Sequence, residues 1–306
     1  MRLAAADIGS NAVRFIFYNV YEGPSGPVFK KISVVRLPVR LGDEVFEAGK
    51  ISPEKVQTLV KALRIFALMT EVHQCDHFRI VATSAMREAA NSLQVVQEVY
   101  YQTGLEIQII DGQSEAGLIF ANLSDLNLPE KFQYLYVDVG GGSTELTLYA
   151  NGHVVFSGSY NIGTLRMLKG QNLKSEWKRM FRQLNLFRGK RSIRIIGTGG
   201  NINKLHRLAG LKEGQILKRK KLEEVYQQLC RLSYEDRLIK LGLNQDRADV
   251  IVPAAEVFLK IADRLNVSSI VVPKLGLSDG LIHTLFEEVK NQQKRPVSIP
   301  ASSGRI

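Results

Sequence analysis

Two stretches of the chain share one pattern of apolar and polar positions. The run Tyr134-Leu135-Tyr136-Val137 reads as a buried strand that ends on Asp138. It turns through Gly140-Gly141-Gly142 and resumes at Leu146-Thr147-Leu148-Tyr149 with the alternation of a second strand. The first residues do the same. Ala4-Ala5-Ala6 leads to Asp7, Gly9-Ser10-Asn11 turns, and Val13-Arg14-Phe15-Ile16-Phe17-Tyr18 alternates. Turns at Pro24-Ser25-Gly26 and Asn151-Gly152 precede third strands at Val28-Phe29 and Val154-Val155-Phe156. Two copies of strand, Asp, turn and hairpin point to a duplication.

The pattern predicts strands over 3–8, 13–20 and 27–35 in the first copy. Ser52-Pro53-Glu54 then reads as N-cap, first-turn proline and first-turn acid. Val56, Leu59, Val60, Leu63 and Phe66 keep helical spacing to about Glu71. A strand over 78–82 runs into the small-residue turn Thr83-Ser84-Ala85 and a helix. A strand over 106–110 turns at Asp111-Gly112 into a helix over 114–122. The second copy repeats the order. Strands over 133–139, 143–150 and 153–159 precede helices near 162–170 and 174–187. The strand over 192–196 enters Gly197-Thr198-Gly199-Gly200-Asn201, a glycine turn at a helix N-terminus, which favours anions. Helices near 220–232, 234–241 and 247–265 follow, with Pro253 as a kink or as the true start of the last. A strand over 268–272 and a helix to about Lys290 close the chain, and residues 293–306 read as a loose tail.

This alternation is an α/β architecture with two domain cores. The expected division is 1–122 and 123–279.

The totals narrow the function classes. At 306 residues and 45% hydrophobic, the chain can bury two cores. It has no apolar run near twenty residues, so no membrane span is expected, and its N-terminus reaches Asp7 too soon for a signal segment. Cys75 and Cys230 are far apart, which predicts reduced core thiols in a cytoplasmic protein. The five histidines form no metal-binding spacing, so zinc chemistry is not expected. Charge is lopsided. Residues 166–221 hold seventeen Lys and Arg against Glu176 and Glu213, a net +15, which leaves −4 for the rest of a chain totalling +11. Such a field recruits polyanions. Trp177, Phe181 and Phe187 are spaced as apolar helix positions rather than a stacking platform, so a phosphate-rich linear substrate is favoured over nucleic acid.

The two hairpin turns suggest the chemistry. Consecutive glycines let N–H groups converge on an anion. If both turns face one cleft, the amides of 9–12 and of Gly140, Gly141, Gly142, Ser143 and Thr144 cradle phosphate from two sides. Neither a P-loop nor a dinucleotide motif fits, because a strand and not a helix follows each turn. Asp138 and Glu145 are candidates for a divalent cation, with Asp7 facing them across the cleft. Arg14 and Arg87 are candidates for charge neutralisation. Glu115 follows the Asp111-Gly112 turn and is the candidate base; the plain alternative is a first-turn capping acid.

Four ordered motifs then carry a resemblance. Asp7-Ile-Gly-Ser-Asn-Ala-Val-Arg14, Ala82-Thr-Ser-Ala-Met-Arg-Glu-Ala-Ala-Asn91, Gly112-Gln-Ser-Glu-Ala116 and Asp138-Val-Gly-Gly-Gly-Ser-Thr-Glu145 resemble those of the exopolyphosphatase/guanosine pentaphosphate phosphohydrolase (Ppx/GppA) family. The resemblance spans about residues 1–290. It implies two ribonuclease-H-like domains of the actin-like ATPase superfamily around a cleft, with the C-terminal helix, about 280–292, crossing back onto the first. It implies Glu115 as catalytic base and Asp138 with Glu145, beside Asp7, as ligands of Mg²⁺ or Mn²⁺. It implies phosphate binding by Gly9, Ser10, Asn11 and Arg14, by Thr83, Ser84 and Arg87 of the second motif, and by Gly199 of the loop beginning at Gly197. It also suggests a homodimer.

The chain departs from the family pattern in places. Ala12 stands where many members have Ser, Ser114 where an acid often precedes the glutamate, and Asp279 where Arg is expected for guanosine or distal-phosphate recognition. Longer members add a helical C-terminal domain. The reading is a Mg²⁺-dependent exopolyphosphatase acting on inorganic polyphosphate or another polyphosphorylated small molecule. The alternatives are a pppGpp 5′-phosphohydrolase, a kinase of the same superfamily, and a non-catalytic sensor.

Overall fold

The computed structural model describes residues 1–24, 26–121, 129–188, 192–273 and 275–294. The expected boundary at 122/123 and the tail beyond 294 lie outside them.

Two mixed sheets organise the chain. The first contains β1 (Arg2–Ile8), β2 (Val13–Gly23), β3 (Gly26–Leu37), β4 (His77–Ala82) and β5 (Gln108–Ile109), in the order β3-β2-β1-β4-β5. The second contains β6 (Gln133–Val139), β7 (Thr144–Ala150), β8 (His153–Tyr160), β9 (Ile193–Thr198), β10 (Leu217–Lys218) and β11 (Ser269–Val271), in the order β10-β11-β9-β6-β7-β8. In each, an antiparallel three-strand meander meets parallel strands at the first strand of the copy. This is the ribonuclease-H-like arrangement, twice. The duplication read from the hairpins is therefore the plan of the fold, and β10 is an edge strand that the apolar pattern was too short to reveal.

The central strands explain why an acid stands out at the end of the first strand in each copy. Leu3, Ala4, Ala5, Ala6 and Ile8 of β1 are all buried, as are Tyr134 to Val137 and Val139 of β6. A strand covered on both faces reads as a continuous apolar run. The polar residue at its end then marks where the sheet stops and the cleft begins.

Local signals place the helices. Ser52 Oγ accepts from Lys55 N at 3.2 Å and Pro53 opens the helix Pro53–Val72. Pro253 sits in the first turn of Ile251–Leu265, where its missing N–H has no helical partner to lose, so it marks a start. The stretch 247–265 is accordingly two helices, Gln245–Ala248 and Ile251–Leu265. A short helix, Gly42–Ala48, was not signalled by periodicity. The strand over 106–110 shrinks to two paired residues.

Ile251–Leu265 buries ten residues and is the spine of the second core, on which Trp177 and Phe181 also pack. The helix Leu277–Lys294 lies against β1, β2 and β4 of the first sheet, burying Leu277, Leu281, Ile282, Leu285, Phe286 and Val289. Each such side chain contributes roughly 1.5–3 kcal/mol by burial. Both cysteines are free thiols, but Cys230 is exposed rather than in the core. Among the described residues no helix is long and apolar enough to cross a membrane.

Candidate active site

The cleft between the two sheets is floored by the ends of β1 and β6. At the end of β1, Gly9 N donates to Ala12 O at 3.1 Å; at the end of β6, Gly140 N donates to Ser143 O at 2.9 Å. The same turn is thus built twice, and the two turns touch. A Cβ on Gly141 would lie 3.1 Å from Ser10 Cβ and 3.2 Å from Asn11 N. One on Gly142 would overlap Ser84 Oγ and come within 2.5 Å of Phe46 Cζ. Only glycine permits this approach of one copy to the other. Ser10 and Ser84 share a hydrogen bond of 2.7 Å beside it, and Asn11 Nδ2 reaches the Asp246 carbonyl at 2.8 Å.

The helix Gly112–Ala121 brings Glu115 to the same place. Asp111 caps it, accepting from Ser114 N at 2.7 Å. Gly112 lies so close to β8 that a Cβ would overlap Ser159 Cβ. Ser159 Oγ in turn donates to Glu145 Oε1 at 3.0 Å. The glycine of the Gly-x-x-Glu motif therefore sets how near Glu115 comes to Glu145.

The cleft is lined by Asp7, Glu115, Asp138 and Glu145 among others. Gly9, Ser10, Asn11, Arg14, Thr83, Ser84, Gly140, Gly141, Ser143 and Gly199 line it too. Arg87 stands behind Glu115, with Nη1 3.6 Å from Glu115 Oε2 and 2.7 Å from the Ile110 carbonyl, to which it donates. Gly142 and Thr144 do not line the cavity. Gly142 is packed between the copies, and the Thr144 hydroxyl donates to the Ile162 carbonyl.

The carboxylates raise one another's proton affinity. Burial lifts Asp7 to about 6, with Arg14 opposing and Asp138 adding. Burial lifts Glu145 to about 7, and Ser143 and Ser159 oppose it by hydrogen bonds. Glu115 is held well above the usual carboxylate range, first by burial and then by the Glu145 charge, while Arg87 draws it back. Asp138 is raised by burial against Arg14 and a Thr198 hydrogen bond. Glu115 Oε2 is buried without a hydrogen-bond partner among the described residues.

This donor set fits a divalent cation of the Mg²⁺ kind. Among the described residues no three His, Cys, Asp or Glu side chains form a ready cage. Mg²⁺ does not need one: it commonly takes one or two carboxylates and completes its shell with water and phosphate oxygens. The charge supports the same conclusion, since four acids in one buried cleft are stabilised by a cation between them.

Gly200 and Asn201, read from the sequence as part of the anion-favouring glycine turn, do line the cleft, and Asn201 Nδ2 donates to the Val139 carbonyl at 2.8 Å. Gly199 itself has φ +85°, and a Cβ there would overlap Asp138 Oδ1. Sequence reasoning missed Arg36 and Arg247, which also line the cleft, Arg36 paired with Asp246 and Arg247 donating to the Gly200 carbonyl at 2.8 Å. Arg166 was counted only as part of a basic stretch. It is buried, donates to the Gly142 carbonyl at 2.6 Å, and pairs with Glu88 of the other copy.

The model of the Ppx/GppA phosphatase family matches residues 20–289. Exopolyphosphatase 1 of Mycobacterium leprae is 26% identical over 310 residues, covering 92% of this chain and 88% of the relative. A guanosine-5′-triphosphate,3′-diphosphate pyrophosphatase of Vibrio vulnificus is 23% identical over 317 residues, covering 99% of this chain and 63% of the relative. The crystal structure of an exopolyphosphatase from Cytophaga hutchinsonii superposes with a TM-score of 0.84 at 20% identity, covering 94% of this chain and 98% of that one.

Proposed function

The chain belongs to the Ppx/GppA phosphatase family and is a phosphoanhydride hydrolase, and from that premise we propose that it is an exopolyphosphatase releasing terminal orthophosphate from inorganic polyphosphate. The observation that carries this reading is the convergence on one cleft of two amide-rich turns, a carboxylate set and Glu115, whose buried Oε2 accepts no hydrogen bond among the described residues.

In this mechanism the terminal phosphoryl group lies against the N–H groups of the turns at 9–12 and 140–143. Thr83 and Ser84 add hydroxyl donors, and Gly199 keeps the opposite wall low. Glu115 orients a water and takes its proton as the oxygen–phosphorus bond forms. The bridging P–O bond breaks in line, and the chain leaves one phosphate shorter with that oxygen as its new end. Arg14, which faces Asp7 across the first hairpin, offsets the charge on the leaving end. Arg87 fixes the position and proton affinity of Glu115. Asp138 and Glu145, with Asp7, would hold Mg²⁺ or Mn²⁺, which when bound supplies positive charge to phosphoryl oxygens. A homodimer is part of the same reading, and light scattering tests it.

The test is orthophosphate release with Mg²⁺ from polyphosphate, pppGpp and ATP, for wild type and Glu115→Gln. Release from polyphosphate that collapses in the variant while binding persists supports the reading. Preference for pppGpp would move it to the nucleotide. Binding without release from any substrate would make the chain a sensor.

A further inference from the structure

The helix Lys174–Phe187 carries two stripes. Met180, Leu184 and Phe187 are buried in the second core. Lys174, Trp177, Lys178, Phe181, Arg182 and Asn185 follow the spacing i, i+3, i+4, i+7, i+8, i+11 of another face and line an open groove. That stripe runs about 16 Å along the helix axis. Lys260 and Arg264 of Ile251–Leu265 form the other side. The groove has no residue in common with the carboxylate cleft, so hydrolysis there does not account for it. The sequence pattern treats the three aromatics of this helix alike, as apolar helix positions. Phe187 is one, whereas Trp177 and Phe181 are only half-buried and give the rest of their surface to the groove.

A cation recurs at every fourth residue, and Lys174, Lys178 and Arg182 are all exposed. Among the described residues no acid lines the groove, and these three and Arg264 form no ion pair with a carboxylate; Lys260 pairs with Glu256 at 2.6 Å. Like charges with no acid among them hold a positive field along the groove. The rings lie inside that field. The Trp177 and Phe181 centroids are 5.3 Å apart with a tilt of 38°. Lys260 Nζ lies 4.6 Å from the Trp177 centroid, and Arg264 Cζ lies 5.5 Å from that of Phe181. Cations alternating with rings suit a polyanion that also carries flat apolar groups. A single nucleic-acid strand has both, phosphates in series and unpaired bases. A duplex keeps its bases stacked inside, and an acidic peptide offers charge without a base for each ring.

We propose that this groove binds single-stranded nucleic acid, with phosphates on Lys174, Lys178 and Arg182 and bases against Trp177 and Phe181. It is a second binding function on the outer face of the second copy and does not rest on the polyphosphate reading.

The test measures binding of labelled oligo(U) and oligo(dT) of about twenty nucleotides, and of an abasic strand of the same length, over a range of salt. The proteins are wild type, K178Q/R182Q, W177L/F181L and the control K30Q/K61Q, whose lysines are exposed in the first copy. K178Q/R182Q should bind about tenfold more weakly, and its log–log salt slope should flatten by about 1.4, since each phosphate contact on a single strand contributes about 0.7. W177L/F181L should lose at least about fivefold with an unchanged slope, because the rings hold bases and not phosphates. Wild type should bind the abasic strand as weakly as W177L/F181L binds the base-bearing ones; this arm asks the same question without altering the core beneath the rings. The control should bind as wild type does. A preference between oligo(U) and oligo(dT) assigns the sugar and supports the site either way. No binding by wild type, equal affinity for the abasic strand, or an equal loss in the control overturns the proposal. Displacement by polyglutamate as complete as by unlabelled strand also overturns it, in favour of an acidic protein segment. None of these readouts needs hydrolysis, so the site and the hydrolase stand or fall separately.

Discussion

Arg14 and Glu145 occupy the same register position in two copies of one hairpin. Asp7 faces Arg14 across β1 and β2, and Asp138 faces Glu145 across β6 and β7. The turns between them share their closing hydrogen bond. One copy thus carries its own counter-charge, and the other carries a second acid. On the proposed reading an added cation would sit at the Asp138–Glu145 hairpin, opposite Arg14.

That placement predicts a pH-dependent stability that metal reverses. Burial lifts Glu145 to about 7 and Asp7 to about 6 in the folded chain, above the ordinary carboxylate values of 4.5 and 3.8. A raised carboxylate stabilises the fold fully below its unfolded value and loses that contribution as pH rises through the folded value. Metal-free protein should therefore melt progressively lower from about pH 4 to pH 7, and Mg²⁺ should restore much of the loss at pH 8. At a hundredfold excess over its Kd the ion adds about 2.7 kcal/mol. Glu145→Gln should raise the metal-free melting temperature at pH 8, by the equivalent of about 2 kcal/mol, and blunt the Mg²⁺ response. Thermal melts at pH 5 and 8, with and without Mg²⁺, check this. A variant that responds to Mg²⁺ as wild type does would remove Glu145 from the metal site.

The sequence made the two hairpins and their acids legible because central strands are apolar throughout, so the polar residue that ends each stands out. Glu115 was legible through its glycine, three residues earlier. Arg36 and Arg247 were not. Arg36 sits on the edge strand β3, among Lys30 and Lys31, where an alternating charge reads as a solvated face. Arg247 follows Asp246, which Arg36 needs as a partner, and 210 residues separate that pair. Only the tertiary fold brings them to the cleft. Asp279 was read as a change in a recognition position, whereas in the fold its charge is turned inward.

The Arg87–Glu115 pair predicts a displaced pH profile. Glu115 must be ionised to take a proton, so activity should rise with pH through its folded pKa. Arg87 opposes the burial that raises that pKa. Arg87→Met should move the acid limb of kcat/KM to higher pH. Glu115→Gln should lose about 10²–10⁴-fold at every pH. A profile that keeps its acid limb in place in Arg87→Met, with only its height reduced, would argue that Arg87 serves substrate charge and not the base.

Gly142 tests the contact between the copies. A Cβ there meets Ser84 Oγ, Phe46 Cζ and Ser10 Oγ, all from the first copy. The Arg166 guanidinium clamps the same loop, with its Cζ 4.0 Å from the Phe46 ring centroid. Gly142→Ala should cost about 1–3 kcal/mol by overpacking and lower kcat, since the turns at 9–12 and 140–143 must part. Gly152→Ala supplies the contrast: its φ is +81°, yet nothing lies within 4 Å of its Cβ position, so stability falls while kcat holds. Equal kcat in both variants would separate the glycine contact from catalysis.

Asp279 is expected to matter for folding rather than for phosphate. Its carboxylate accepts from the buried Tyr18 hydroxyl at 2.7 Å and from Gly276 N at 2.9 Å, and it pairs with Lys31. It thereby ties the start of the C-terminal helix to β2 and β3. Asp279→Ala leaves the buried Tyr18 hydroxyl without this acceptor and removes the carboxylate from Gly276 N, at about 2–4 kcal/mol. Asp279→Asn keeps one oxygen for them and should cost about half as much. Lys31 is a third exposed and can turn to water, so its release adds little to either figure. Denaturant unfolding of the three proteins reads the order directly, and kcat on tripolyphosphate should stay near wild type in whatever fraction is folded. If Asp279→Ala matched wild type in stability but lost affinity for substrate, the anion would have to be reassigned from the scaffold to recognition.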